Sequence, residues 1–211
     1  MFFSCIGYPS QPKGSDFLGG FHGMELYHPA RMAWFKSTPP GDPLPVTMTG
    51  VKMGDRLIII GCSDPRLVAQ LALKPGISGR ACAVDADAGV VARAGEAATK
   101  EGALIETETA PFTMLPYDRE AFDVAVLAYS LGRLSSERRI AAVNEARRVL
   151  RAGGRCVAIE AAARGGLGAL ARSTRMPAPE IEQTFNAAGL RAGRTLAERD
   201  GIAFVEGANR Q

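Results

Sequence analysis

The chain has 211 residues, 46% apolar and 22% charged, a balance that excludes a disordered or fibrous chain and is expected of one soluble globular domain. Its 25 Lys and Arg against 22 Asp and Glu leave a formal charge of +3, too little for a protein built to coat nucleic acid or an anionic membrane surface. The longest apolar runs, such as Leu57 to Ile60 and Val124 to Leu131, fall far short of the roughly 20 residues that span a bilayer, so no integral membrane segment is expected.

The stretch Met1 to Pro9 lacks a basic region, and Ser4, Gly7 and Pro9 break its apolar run. It does not have the form of a secretory signal, and a cytoplasmic location is expected. His28 to Phe35 has the pattern of a short helix with Pro29 at its first position. Seven of the 13 prolines fall in the first 45 residues, and Pro39, Pro40, Pro43 and Pro45 predict that regular structure is interrupted between residues 38 and 46. Residues 1–45 are therefore expected to be an appendage or lid that ends in a proline-rich linker, with an α/β domain over 46–211.

From residue 55 onward, short apolar runs alternate with helical stretches, the pattern of strands joined by crossover helices in a parallel sheet. Arg56 to Ile60 reads as a strand buried on both faces, and Pro65 to Leu73 as the helix after it. Arg80 to Val84 predicts a second strand, followed by a helix capped by Asp87 that runs through Thr99 and stops at Gly102. Ala103 to Glu108 and Phe122 to Ala128 supply two more strands. Ser135 or Ser136 caps the next helix, in which Ile140, Val143, Ala146 and Leu150 recur at helical spacing. Gly153-Gly154 is expected to end that helix before a fifth strand, Arg155 to Ile159. After a flexible stretch at Gly165, Gly166 and Gly168, Pro179 to Ala188 forms the last helix. Leu190 to Glu198 and Ile202 to Glu206 flank Asp200-Gly201, a strong hairpin signal, and are expected to pair antiparallel.

In an open parallel sheet the ligand crevice lies beyond the carboxyl ends of the strands, near the point where strand order reverses. The positions to consider are thus Gly61, Cys62, Ser63 and Asp64 after the first strand, Asp85 and Ala86 after the second, Pro111 and Phe112 near the third, and Ala128, Tyr129 and Ser130 at the fourth. Asp85 lies about 25 residues beyond the first strand-to-helix turn, where a carboxylate accepts hydrogen bonds from both hydroxyls of an adenosine ribose. The alternative role, capping the following helix, falls to Asp87.

The four cysteines, Cys5, Cys62, Cys82 and Cys156, form neither a close pair nor a zinc spacing, and Cys82 and Cys156 read as small buried hydrophobes. His22 and His28 are the only histidines and lack an acidic cluster, so no metal site is expected.

The order Leu115-Pro116-Tyr117, Phe122-Asp123-Val124-Ala125-Val126 and Glu145 to Arg155 (Glu-Ala-Arg-Arg-Val-Leu-Arg-Ala-Gly-Gly-Arg) resembles the class I S-adenosylmethionine-dependent methyltransferases, in particular the type 11 and quinone-biosynthesis branch. The resemblance covers roughly residues 45 to 206. It implies a Rossmann-like, doubly wound, seven-stranded sheet, mostly parallel with an antiparallel C-terminal hairpin. It further implies S-adenosylmethionine as cofactor, held by Gly61, Cys62, Ser63, Asp85, Ala86, Phe112 and Ala128, and a small molecule as methyl acceptor. Tyr129, Ser130, Arg133, Tyr27 and His28 are the candidate polar groups on the acceptor side, with no catalytic residue assigned and a homo-oligomer left open.

The cofactor loop departs from the family pattern. Ile59 stands where the family has an acid, Ser63 and Pro65 stand for its second and third glycines, and Pro111 stands where an aspartate accepts from the adenine amino group. The alternative function is therefore a non-catalytic binding or assembly protein that keeps the fold without the cofactor. A nicotinamide-dependent oxidoreductase ranks last, because Asp64 and the missing glycines oppose a pyrophosphate turn. Asp85→Ala is expected to weaken an adenosine ligand while leaving the fold largely intact.

Overall fold

The computed structural model describes residues 41–162 and 175–210, which lie almost wholly in the second of two units, Met1–Gly41 and Asp42–Gln211, into which the chain divides. The expected helix at 28–35, the lid residues Tyr27 and His28, Cys5, His22 and the glycines at 165–168 lie outside the described residues.

The elements run α1 (Leu44–Thr49), β1 (Arg56–Ile60), α2 (Pro65–Ala72), β2 (Arg80–Asp85), α3 (Ala88–Lys100), β3 (Glu106–Thr109), β4 (Phe122–Ala128), α4 (Ser136–Val149), β5 (Leu150–Ala161), α5 (Ala178–Ala187), β6 (Arg191–Arg199) and β7 (Ile202–Ala208). The strands form one seven-stranded sheet in the order 3-2-1-4-5-7-6. β1 to β5 are parallel, while β7 runs antiparallel to both β5 and β6. The expected doubly wound α/β class and its antiparallel hairpin are both present. The hairpin turn follows from chemistry: Asp200 and Gly201 both take positive φ, 55° and 78°, as a twist-matched two-residue turn requires.

Alternation along the central strands builds two apolar layers, because successive strand side chains point to opposite faces. Ile58 and Ile60 pack in one cluster with Phe122, Leu127, Val143, Ile181 and Phe185, while Leu57 and Ile59 pack in the other with Leu67, Leu71, Ala94 and Phe204. Ile59 is fully buried, so the place of the family's acid is taken by a core side chain.

Three details differ from expectation. A six-residue helix, α1, begins inside the segment predicted to be interrupted, because Pro45 falls in its first turn, where a missing N–H costs nothing. The pair Gly153-Gly154 lies within β5 rather than before it, and helix α4 stops at Val149. Leu150 pairs with Phe122 and Arg155 with Val124, so the intervening residues bulge out of register, an accommodation common at the start of a strand. The third strand, placed by its apolar start at Ala103 to Glu108, pairs only over Glu106–Thr109, and its exposed Glu and Thr side chains suit the edge of a sheet.

Candidate active-site crevice at the strand ends

Strand order reverses between β1 and β4, and the chain leaves β1 through a tight turn. Gly61 sits at φ 104°, its N–H donates to the Val84 carbonyl at 2.8 Å, and a Cβ there would lie 2.3 Å from the Ala128 carbonyl oxygen. Only glycine permits that backbone contact. Asp64 caps α2 by accepting from Leu67 N–H at 3.0 Å, and Pro65 opens the helix. Asp87 caps α3, accepting from Gly89 and Val90 N–H at 2.8 and 3.1 Å, which leaves Asp85 free of that duty.

Asp85 is fully buried. One oxygen, Oδ2, accepts from the Cys62 N–H at 2.9 Å and from Arg133 Nη1 at 3.1 Å, and the other, Oδ1, accepts from the Asp87 N–H at 3.2 Å. Arg133 arrives from the 3-10 turn Leu131–Arg133 after β4. Its guanidinium also lies 5.8 Å from the ring centre of Phe112. One arginine thus covers both the carboxylate and the aromatic ring at the mouth of a crevice of about 340 Å³, lined by Ala86, Pro111, Phe112, Thr113, Leu134, Arg138 and Arg133 itself.

Of the seven sequence-predicted cofactor residues, Ala86 and Phe112 line this crevice and Asp85 reaches it through Arg133. Gly61, Cys62 and Ala128 are buried beneath the strand ends, and Ser63 is exposed on the loop. Burial, and secondarily the charge of Asp85, pushes the Cys62 thiol up to about 12 against a smaller opposing effect of Arg133, so it is not a nucleophile at neutral pH. Among the described residues no group of His, Cys, Asp and Glu could hold a metal ion.

Two contacts behind this crevice have no signature in the sequence. Arg133 pairs with a residue 48 positions away, although it figured among the acceptor-side candidates. Glu160, at the end of β5, is 1% exposed and its carboxylate accepts from Leu131 N–H at 2.7 Å and Gly132 N–H at 3.3 Å. It therefore anchors the turn that carries Arg133, while Arg139 holds the same turn through the Leu131 carbonyl at 3.0 Å. Tyr129, two residues before that turn, is held at φ 52°.

Desolvation raises the Glu160 carboxyl from the ordinary 4.5 to about 7, opposed by the backbone N–H groups of Leu131, Gly132 and Ser130 and by the charge of Arg139. A carboxyl raised on folding keeps its proton longer in the folded state, so its contribution is full below the unfolded value and is lost as pH rises through the folded one. Urea denaturation is expected to show wild type losing stability between about pH 5 and 8 relative to Glu160→Gln. Parallel pH profiles for the two proteins would reject this assignment.

The strand order and the antiparallel seventh strand define the Rossmann-like fold of S-adenosylmethionine-dependent methyltransferases. Residues 58–158 match the family model described as "Methyltransferase domain", and the chain carries a domain of that family. Among solved structures it is similar to a SAM-dependent methyltransferase from Aquifex aeolicus, at 19% identity and TM-score 0.67, covering 77% of this chain and 86% of that one. A SAM-dependent methyltransferase from Methanosarcina mazei is 16% identical at TM-score 0.64, over 80% of this chain and 99% of that one. The cyclase SpnF is 19% identical at TM-score 0.64, over 79% and 78% of the two chains. At these identities the likeness establishes the fold alone, and the names attached to it do not share one reaction. No curated protein sequence matches the chain. Among the described residues no helix is long and apolar enough to cross a membrane.

Proposed function

We propose that the crevice receives the adenosyl part of S-adenosylmethionine and that the protein transfers its methyl group to a small molecule. The observation that carries this reading is the hydrogen-bond geometry of Asp85. A carboxylate has about four acceptor positions. Cys62 N–H and Asp87 N–H take one on each oxygen, and Arg133 takes a third. Rotation of Arg133 away from the carboxylate leaves one open position on each oxygen, the arrangement that two neighbouring ribose hydroxyls need. The Arg133 side chain is 36% exposed, so it has solvent to move into. Its departure also frees Phe112 to pack against a base.

The bound sulfonium supplies an already activated methyl group, so the protein's task is chiefly alignment, with a base needed only for an acceptor that carries a proton. Ala86 and Phe112 border the proposed adenosine position, Asp85 orients the ribose, and Gly61 holds β1 and β4 close enough to shape the floor. Asp64, at the head of α2, places negative charge in the loop that would face the ammonium of the methionine part.

A second reading, a domain that keeps the fold without the cofactor, is favoured by the same ion pair, since Arg133 supplies the Asp85 carboxylate with a counter-charge from within the chain. Calorimetric titration with S-adenosylhomocysteine and S-adenosylmethionine separates the two. Binding at micromolar to sub-millimolar concentration is expected. No heat with either compound at millimolar concentration, in wild type and in Arg133→Ala alike, would leave the second reading standing.

A further inference from the structure

The opposite end of the sheet carries a cluster of positive charge that the strand-end crevice does not use. A cavity of about 460 Å³ is lined by Arg147, Asn186, Gly189, Leu190, Arg191 and Arg210. Arg147 comes from the last turn of α4, Asn186 from the last turn of α5 and Gly189 from just beyond it, Arg191 from the first position of β6, and Arg210 from just beyond β7. Register fixes this location: Arg191 pairs with Ala208, which in turn pairs with Arg155, itself paired with Val124 near the start of β4, the end away from Gly61 and Asp85.

None of the six lining residues is acidic. The neighbouring arginines are consumed by carboxylates, Arg151 by Asp123 and both Arg155 and Arg194 by Glu206. Arg191 and Arg210 make no ion pair among the described residues, and the Arg147 Nε is buried with no hydrogen-bond partner among them. Capping of a helix end explains only part of this. Arg147 reaches the Ala188 carbonyl at 3.5 Å, where a cation complements the C-terminus of α5. That contact occupies Nη1 of one arginine and leaves the Nε of Arg147 and two whole guanidinium groups without a counter-charge among the described residues.

Guanidinium groups present flat, forked donors that match the oxygens of phosphate, and several together around one cavity favour a multiply charged anion over a single carboxylate. The cavity falls within the roughly 300–1,000 Å³ range of small-molecule sites. Apart from Leu190 its side chains are polar, so the recognised group is the anion itself. We propose that Arg147, Arg191 and Arg210 form a second binding site, for a diphosphate-bearing ligand, independent of the proposed methyltransferase activity.

The test is calorimetry with sodium pyrophosphate in metal-free, low-salt buffer, on wild type and on the double variant Arg191→Ala/Arg210→Ala. Each charged hydrogen-bonding group removed is expected to weaken binding by about tenfold or more. The melting temperature and S-adenosylhomocysteine binding should stay as in wild type, because both arginines are exposed and far from Asp85. ADP as a third ligand identifies the source of the anion. Binding no tighter than pyrophosphate marks the free inorganic ion, and tighter binding that the double variant loses marks a diphosphate on a larger organic group; both support the site. Undiminished pyrophosphate binding in the double variant, or none to wild type at millimolar concentration, would overturn it.

Discussion

Gly61→Ala is expected to lower the unfolding free energy by about 3 to 5 kcal/mol, combining strain at a positive φ with a backbone collision. The added methyl would sit 2.3 Å from the Ala128 carbonyl oxygen and 3.1 Å from Ser130 Cβ. Neither neighbour yields cheaply, since Ala128 is the last residue of a central strand and the following Tyr129 N–H is tied to the Ile159 carbonyl at 2.8 Å. β1 and β4 would have to separate at the point where the crevice floor forms. Gly102→Ala is the contrast: its φ is similarly positive, 76°, but nothing lies within 4 Å of the new methyl. It should cost about 1 kcal/mol, the backbone contribution alone. Urea denaturation of the two variants beside wild type measures the difference, and equal losses would show that the close approach of the two strands does not matter.

Arg133→Ala should tighten S-adenosylhomocysteine binding by about tenfold while making the free protein less stable. Both effects follow from one ion pair. Removing the arginine exposes Asp85 to the ligand, a gain limited by the partial solvent exposure of the guanidinium. It also leaves a buried carboxylate supported only by the amides of Cys62 and Asp87, at a cost of about 1 to 3 kcal/mol. Asp85→Asn should act oppositely on affinity, weakening it by about 1.5 to 3 kcal/mol through loss of the charge that strengthens hydrogen bonds to hydroxyls. Asp85→Ala is a poorer probe than the sequence suggested, because the fold would not remain largely intact. It strips an acceptor from two backbone amides and from Arg133 at a site with no water access. Asp87→Ala serves as the control, lowering stability by about 1 kcal/mol through loss of a helix cap and changing affinity little. Thermal denaturation and calorimetry on the same four variants give both quantities. Unchanged affinity in Arg133→Ala together with unchanged affinity in Asp85→Asn would remove Asp85 from the proposed adenosine site.

Local rules made most of the scaffold legible. Runs such as Arg56 to Ile60 and Phe122 to Ala128 are continuous apolar stretches with turn residues beside them, and a strand buried on both faces requires that pattern. Asp87, Asp64-Pro65 and Asp200-Gly201 announce caps and a turn through chemistry confined to a few neighbouring residues. Leu150 to Gly154 were harder, because two glycines after a helix ordinarily signal its end, and only the pairing with β4 shows that the strand has already begun.

The sequence by itself determined the α/β class, the hairpin and the position of Asp85 at a strand end, since each depends on residue spacing and on the direction of one strand. Only the tertiary structure decided what that carboxylate touches. Arg133 is 48 residues from Asp85, and Glu160 is 29 from the Leu131 N–H that it holds. Such pairs carry no periodicity, because long-range contacts are set by how the sheet brings strand ends together rather than by distance along the chain. The same reason hid the arginines at the far end of the sheet, which lie far apart along the chain and meet around one cavity only where α4, α5, β6 and the end of β7 converge.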